Sequence, residues 1–219
     1  MELDPASLTS TQRYRWLISL IVPRPIAWVS TRGRDGTHNL APFSFFMGVS
    51  SEPPVLALAL SRREGAPKDT ARNILESGEF VVNAAGEDAA EAINLSSGDW
   101  APDVDEFALA DVATAPSHLV SPPRVATAAF ALECRLHQAI PIGVEPRETL
   151  LVLGEIVWMH VRDDVLEDAD DADQARLADP GRLRPLARLG RNLYTRLGPL
   201  LALDRPRGRH PGSSPRRQP

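Results

Sequence analysis

The chain has 219 residues, enough for one large domain or one domain with appendages, and a hydrophobic content of 43% permits a real core. The formal charge is −5, yet Arg205, Arg207, Arg209, Arg216 and Arg217 stand together without an acid, so removing those five positive charges leaves −10 on the rest. An acidic body argues against a nucleic-acid-binding protein, and the single cysteine, Cys134, excludes an intramolecular disulfide.

Residues 1–13 read as a polar N-terminal extension, loosely ordered, and Tyr14–Val22 carries the first hydrophobic packing. Trp16–Val22 is too short to span a bilayer, which takes about 20 apolar residues. Pro23-Arg24-Pro25 follows it instead of a small-residue cleavage site, so no leader is read and a cytoplasmic location is expected. Ile26–Thr31 is rich in strand formers. Asp35-Gly36 then predicts a tight turn, with the chain returning through Phe46 as a hairpin. Val55–Leu60, bounded by Pro53-Pro54 and by arginines, is a further strand.

The next stretch carries the chemistry. Arg62, Arg63 and Lys68 bring positive charge, Gly65 permits a tight turn and Pro67 suits a helix entrance. Asp69 or Thr70 is the expected N-cap, and Ala71, Ile74 and Leu75 follow at helical spacing as far as Gly78. A helix start of this kind suits an anion, although a surface turn with solvated cations fits the same residues. Phe43, Phe45 and Phe46, beside Asn39 and Ser44, suit a flat polar-edged ligand or, equally, a barrel core.

Beyond Gly78, Glu79–Ala84 reads as a strand, Asp88–Leu95 as a short helix, Ser96–Pro102 as a loop holding Trp100, and Pro116–Arg124 as an extended connector. Thr127–His137 alternates, with Phe130, Leu132, Cys134 and Leu136 on one face and Glu133, Arg135 and His137 on the other. On this pattern Cys134 is a buried, inert thiol, and Glu133 and Glu155 are expected to pair across strands with Arg135. Thr149–Val161 is apolar on both faces through Leu153, so a helix or a second subunit should cover it. His160 reads as a core or interface histidine. Seven acids between Asp163 and Asp173 lack the turn glycine and closing Glu of a calcium loop and read as a solvated loop. Pro185–Leu201 has leucines near helical spacing interrupted by Gly190, Gly198 and Pro199, which predicts a broken helix. The histidines have no metal-ligand spacing, and no dinucleotide fingerprint or P-loop is present; no metal site is expected.

Four ordered motifs carry a resemblance: Pro23-Arg24-Pro25-Ile26-Ala27-Trp28-Val29-Ser30-Thr31; Gly36 with Asn39-Leu40-Ala41-Pro42-Phe43-Ser44-Phe45-Phe46; Pro53-Pro54; and Lys68-Asp69-Thr70 with Asn73. Together they resemble the flavin reductase-like family, to which flavoredoxin belongs. The resemblance implies a mainly β fold, an antiparallel Greek-key split β-barrel with several short flanking helices. It covers a domain drawn at residues 14–204, leaving 205–219 as a disordered basic tail.

The resemblance also implies bound FMN and hydride transfer from NADH or NADPH, with electrons passed to a second acceptor such as a partner oxygenase. A homodimer and no catalytic acid or nucleophile are implied as well. Carried over residue by residue, Asn39, Ala41, Pro42, Phe43 and Ser44 would border the flavin ring. Ser61, Arg62, Lys68 and Thr70 would gather at its phosphate, with Asp69 capping the helix or holding the ribityl chain. Trp28, Ser30 and Thr31 would line the site from the neighbouring strand, and Arg188 and Tyr194 would close over the ring. An FMN-binding electron carrier without nicotinamide turnover, and a flavin-free barrel serving as an interaction module, are the competing expectations.

Overall fold

The computed structural model describes residues 1–62, 65–168, 176–204 and 206. Arg63, part of the acidic run (Asp170, Asp171 and Asp173) and the basic tail apart from Pro206 lie outside the described residues.

In chain order the elements are α1 (Ser10–Leu20), β1 (Arg24–Pro25), β2 (Ala27–Arg32), β3 (His38–Phe43), β4 (Phe46–Ser51), β5 (Pro54–Ser61), α2 (Asp69–Ser77) and β6 (Glu79–Ala84). There follow α3 (Ala90–Leu95), α4 (Glu106–Leu109), β7 (Thr114–Ala115), β8 (Arg124–Val125), β9 (Phe130–Ile142), β10 (Thr149–Val161), α5 (Pro180–Leu183), β11 (Ala187–Arg188) and β12 (Tyr194–Thr195).

Seven strands form one antiparallel sheet in the order β3-β2-β6-β9-β10-β5-β4. The β9–β10 hairpin separates β6 from β5, which makes the order Greek-key rather than a simple meander. The first and last strands of the sheet, β3 and β4, are consecutive in the chain, joined through Ser44 and Phe45. That short link brings the two edges together at one corner of the curled sheet.

The core explains the near-continuous apolar runs. Ala27 and Val29 of β2 face a cluster with Leu58, Ile74, Phe80, Val82 and Cys134. Ile26 and Trp28 face a second cluster with Leu40, Ile93, Phe107 and Leu186. Because neighbouring residues on a strand point to opposite faces, β2 is buried on both, and Ser30 and Thr31 are enclosed with it. Gly154 permits close packing in the barrel: a Cβ there would meet Phe80 Cζ at 2.3 Å. Cys134 is fully buried as expected, and burial pushes its thiol well above the ordinary value.

Three expectations change. The N-terminal segment is ordered by a reciprocal capping box between Thr9 and Gln12, so α1 begins at Ser10 and runs across the boundary drawn after residue 13. The broken helix over Pro185–Leu201 is instead the strand pair β11–β12, which joins β1 in a three-stranded sheet; Gly190 and the left-handed Arg191 (φ 56°) make its turn. Glu133 does not pair with Arg135. Its carboxylate is fully buried and accepts N–H bonds from His118 (2.6 Å), Leu119 (2.6 Å) and Val120 (3.2 Å), with His160 Nε2 at 2.6 Å. Glu155 and Glu79 are the register partners of Arg135.

Candidate functional site

A cleft of about 630 Å³ opens where three segments meet. One wall is the edge strand β3, through Asn39, Ala41, Pro42 and Phe43. The second is the entrance of α2, from Ala66 through Thr70 to Arg72. The third is the Ser96–Pro102 loop with Trp100, joined by Glu106 of α4.

Buried polar contacts set these walls. Asn39 Nδ2 donates to Thr70 Oγ1 at 2.9 Å and ties β3 to α2. Asn73 Nδ2 donates to Thr31 Oγ1 at 3.0 Å and ties the next turn of α2 to β2. Trp28 Nε1 donates to Ser96 Oγ at 2.9 Å and holds the start of the third wall. Glu106 Oε2 accepts the Leu40 N–H at 3.0 Å. Burial pushes the Glu106 carboxyl above its ordinary range; the Leu40 bond opposes this, and nearby Asp69 and Asp105 add to it.

That bond also defines the open edge of β3. If the Leu40 N–H points away from β2, alternation along the strand turns residue 42 outward as well. Pro42 has no N–H, and Glu106 occupies the one on Leu40, so this stretch of edge offers carbonyl acceptors.

The entrance of α2 sets Lys68 at the cleft. Lys68, not Asp69 or Thr70, is the N-cap, and among the described residues no side chain caps the helix. Its first-turn N–H groups are therefore left for a ligand or water. Asp69 instead pairs with Arg72 at 2.6 Å, and Thr70 serves Asn39. The Lys68 ammonium lies 5.8 Å from the centre of the Phe43 ring, which places charge and ring at one end of the cleft.

The structure thus brings together Asn39, Ala41, Pro42, Phe43, Lys68, Asp69 and Thr70. Trp28, Ser30 and Thr31 do not line the cleft, at 0–1% exposure: Trp28 and Thr31 brace its walls through Ser96 and Asn73, while Ser30 donates to the Pro123 carbonyl at 2.6 Å, away from it. Ser44 accepts from Arg24 Nε at 3.3 Å, and Ser61 sits exposed at the end of β5. Arg62 turns away, held by Glu145 at 2.7 Å and Glu148 at 3.0 Å, because the β9–β10 connection brings two carboxylates to it. Arg188 stacks at 4.2 Å on Tyr194, whose hydroxyl meets Asn94 Oδ1 at 3.5 Å, behind the third wall. Sequence reasoning missed Arg72, Glu106 and the role of the 96–102 loop. Asp105, which accepts from the Phe107 and Ala108 N–H groups, was the available signal for a helix there.

Residues 19–187 match the flavin reductase-like domain family. The chain belongs to that family. An uncharacterized protein of Halalkalibacterium halodurans is 40% identical over 94% of this chain and 97% of that protein. The crystal structure of nitrilotriacetate monooxygenase component B from Bacillus cereus superposes with a TM-score of 0.86 at 32% identity, covering 93% of this chain and 98% of that one. The 2-nitrobenzoate 2-nitroreductase of Pseudomonas fluorescens gives 0.80 at 30% identity, covering 94% and 96%. Flavoredoxin of Desulfovibrio vulgaris, at 24% identity and a TM-score of 0.71 over 93% and 97% of the two chains, shares the fold. The seven-stranded sheet is the split barrel of these proteins. Among the described residues no helix is long and apolar enough to cross a membrane.

Proposed function

We propose that the chain is an FMN-dependent NAD(P)H oxidoreductase that hands electrons to a second acceptor. The observation that carries this reading is the uncapped entrance of α2, with Lys68 at its mouth, sharing one cleft with the Phe43 end of β3. The residues present fit a flavin mononucleotide. First-turn N–H groups and the Lys68 ammonium would hold its phosphate. Asn39 and Thr70 keep strand and helix in register, and the outward carbonyls of β3 would accept from the N–H at the ring's edge.

A flavin bound there would supply the hydride chemistry, and the protein would supply position. No side-chain nucleophile is required. Glu106 orients β3 through its bond from the Leu40 N–H.

The acceptor is proposed from relatives. One solved neighbour is nitrilotriacetate monooxygenase component B, which favours a partner oxygenase. Another is a nitroreductase, which favours a small organic acceptor taken directly into the cleft. A homodimer is proposed from exposed apolar surface. Helix α1 has no buried residue and exposes Tyr14, Leu17 and Leu20; β4 exposes Met47 (61%) and Val49 (52%) on a sheet edge. Trp158 and Met159 are likewise uncovered on β10.

The deciding experiment is the absorbance spectrum of protein loaded with FMN, before and after anaerobic NADH and NADPH. Bleaching at catalytic speed by either nicotinamide is expected. Yellow protein that neither bleaches would be an electron carrier, and protein that takes up no flavin would overturn the reading.

A further inference from the structure

Glu106 of α4 lines the main cleft and is only 6% exposed. Its Oε2 accepts the Leu40 N–H at 3.0 Å, and among the described residues no Lys, Arg or His pairs with it. A carboxylate enclosed without a cation is held at a cost in free energy, and a proton removes that cost.

Consecutive residues of β3 tie Glu106 to the entrance of α2. Asn39 Nδ2 donates to Thr70 Oγ1 in the first turn of the helix at 2.9 Å, and the next N–H along the strand, that of Leu40, goes to Glu106. Charge at the helix entrance is felt at this carboxyl. Burial is the main cause that pushes it above its ordinary range, the N–H groups of Leu40 and of Glu106 itself oppose the shift, and Asp69, the first residue of α2, adds to it together with Asp105. Asp69 does so although it pairs with Arg72 at 2.6 Å. An anion held by the first-turn N–H groups would stand at the same turn as Asp69 and act with the same sign.

The other charged groups here are Lys68 and Arg72 at the helix entrance, Asp99 in the third wall, and Asp105 with His38 Nδ1 at 3.6 Å. All of them are there with or without a ligand, so what binding adds is the ligand's own negative charge. A second negative charge in the same enclosed cleft favours the neutral form of the carboxyl.

We propose that Glu106 is a ligand-binding residue that works in its neutral form: an anion seated at the α2 entrance binds together with a proton, which the Glu106 carboxyl takes up from water. The inference rests on the reading of that entrance as a phosphate site and adds a proton linkage to it. Protonated, Glu106 still accepts from Leu40 and gains an O–H donor at the cleft wall. Because the bound state holds the extra proton, affinity rises as pH falls.

Two measurements on the full chain test it. Glu106→Gln keeps an acceptor for Leu40 but cannot ionise, and FMN dissociation constants are compared in the two proteins from mildly acidic to mildly alkaline pH. The FMN phosphate itself titrates at about pH 6, in both proteins alike, so the ratio between them is the readout. On the alkaline side the glutamine protein should bind roughly tenfold tighter, the ratio that one pH unit of coupling produces, and the two should converge as pH falls. A ratio that does not change with pH would leave Glu106 only a support for β3 and overturn the proposal. Second, the Glu106 ¹³C carboxyl resonance is followed against pH in wild-type protein alone, with sulfate and with FMN, and its midpoint should rise with either anion. An unmoved midpoint in FMN-bound protein overturns the linkage and leaves the flavin reading intact. Protein that binds no FMN, yet whose midpoint rises with sulfate, sustains the linkage and removes the flavin reading; no rise with either anion overturns the linkage.

Discussion

Lys68 and Arg62 look interchangeable in the sequence, six residues apart on one cationic loop, and the fold gives them different work. Lys68 lines the cleft beside Phe43, whereas Arg62 is enclosed by Glu145 and Glu148. Lys68→Ala should therefore raise the Kd for FMN tenfold to a hundredfold, for a charge-assisted bond of roughly 1.5–3 kcal/mol. Arg62→Ala should leave it within about twofold; flavin titration by fluorescence quenching reads both, and equal losses would remove this assignment.

Glu133 supplies a pH prediction. Burial alone would raise its carboxyl, but the N–H bonds from His118 and Leu119 and the His160 ring outweigh burial and hold it below the ordinary 4.5. A carboxyl depressed on folding binds fewer protons folded than unfolded. Its stabilisation is complete above that ordinary value and is lost as pH falls toward the folded one. Glu133→Gln should flatten the acid limb of a Tm-against-pH curve, and an unchanged limb would show that this contact does not govern it.

At the scale of elements, α2 is the piece that the sequence describes best. Its apolar spacing, Pro67 before it and Gly78 after it delimit it, and Gly78 is indeed the left-handed C-cap at φ 71°. Its N-cap was misread because Asp and Thr are the commoner caps. Here Thr70 is drawn inward by Asn39 and Asp69 by Arg72, partners that local pattern does not reveal. The strands Glu79–Ala84 and Thr149–Val161 coincide with the expected spans, since both are bounded apolar runs. The leucines of 185–201 suggested a helix, yet pairing with β1 at Arg24 and Pro25 makes strands of that segment. Close packing between elements was equally hidden. Gly154 lies against Phe80, so Gly154→Ala should destabilise by ~1–3 kcal/mol through overpacking; urea unfolding measures it, and a neutral result would mean that Phe80 moves aside freely.

For the whole molecule, the exposed apolar residues of α1 and β4 set the expectation. Met47→Asp combined with Val49→Lys should convert a dimer to monomer in analytical ultracentrifugation, because like-for-like edge contact would then bury charge. A wild-type chain that sediments as a monomer would refute the second-copy reading of that surface.

The sequence by itself determined β2, β3, β5, β6, β9 and β10, the β2–β3 turn, the α2 helix and, through four ordered motifs, membership of a flavin reductase-like split barrel, because these rest on local periodicity, turn residues and short contiguous patterns. Only the tertiary structure decided which polar residues face the cleft. Trp28, Ser30 and Thr31 are hidden because β2 is covered on both sides, and Arg62 is neutralised by residues more than eighty positions away. Asn73 keeps an unmet acceptor at a pocket wall because the β2–β3 turn comes to rest beside α2. Long-range neighbours set burial and charge pairing, and no window along the chain contains them.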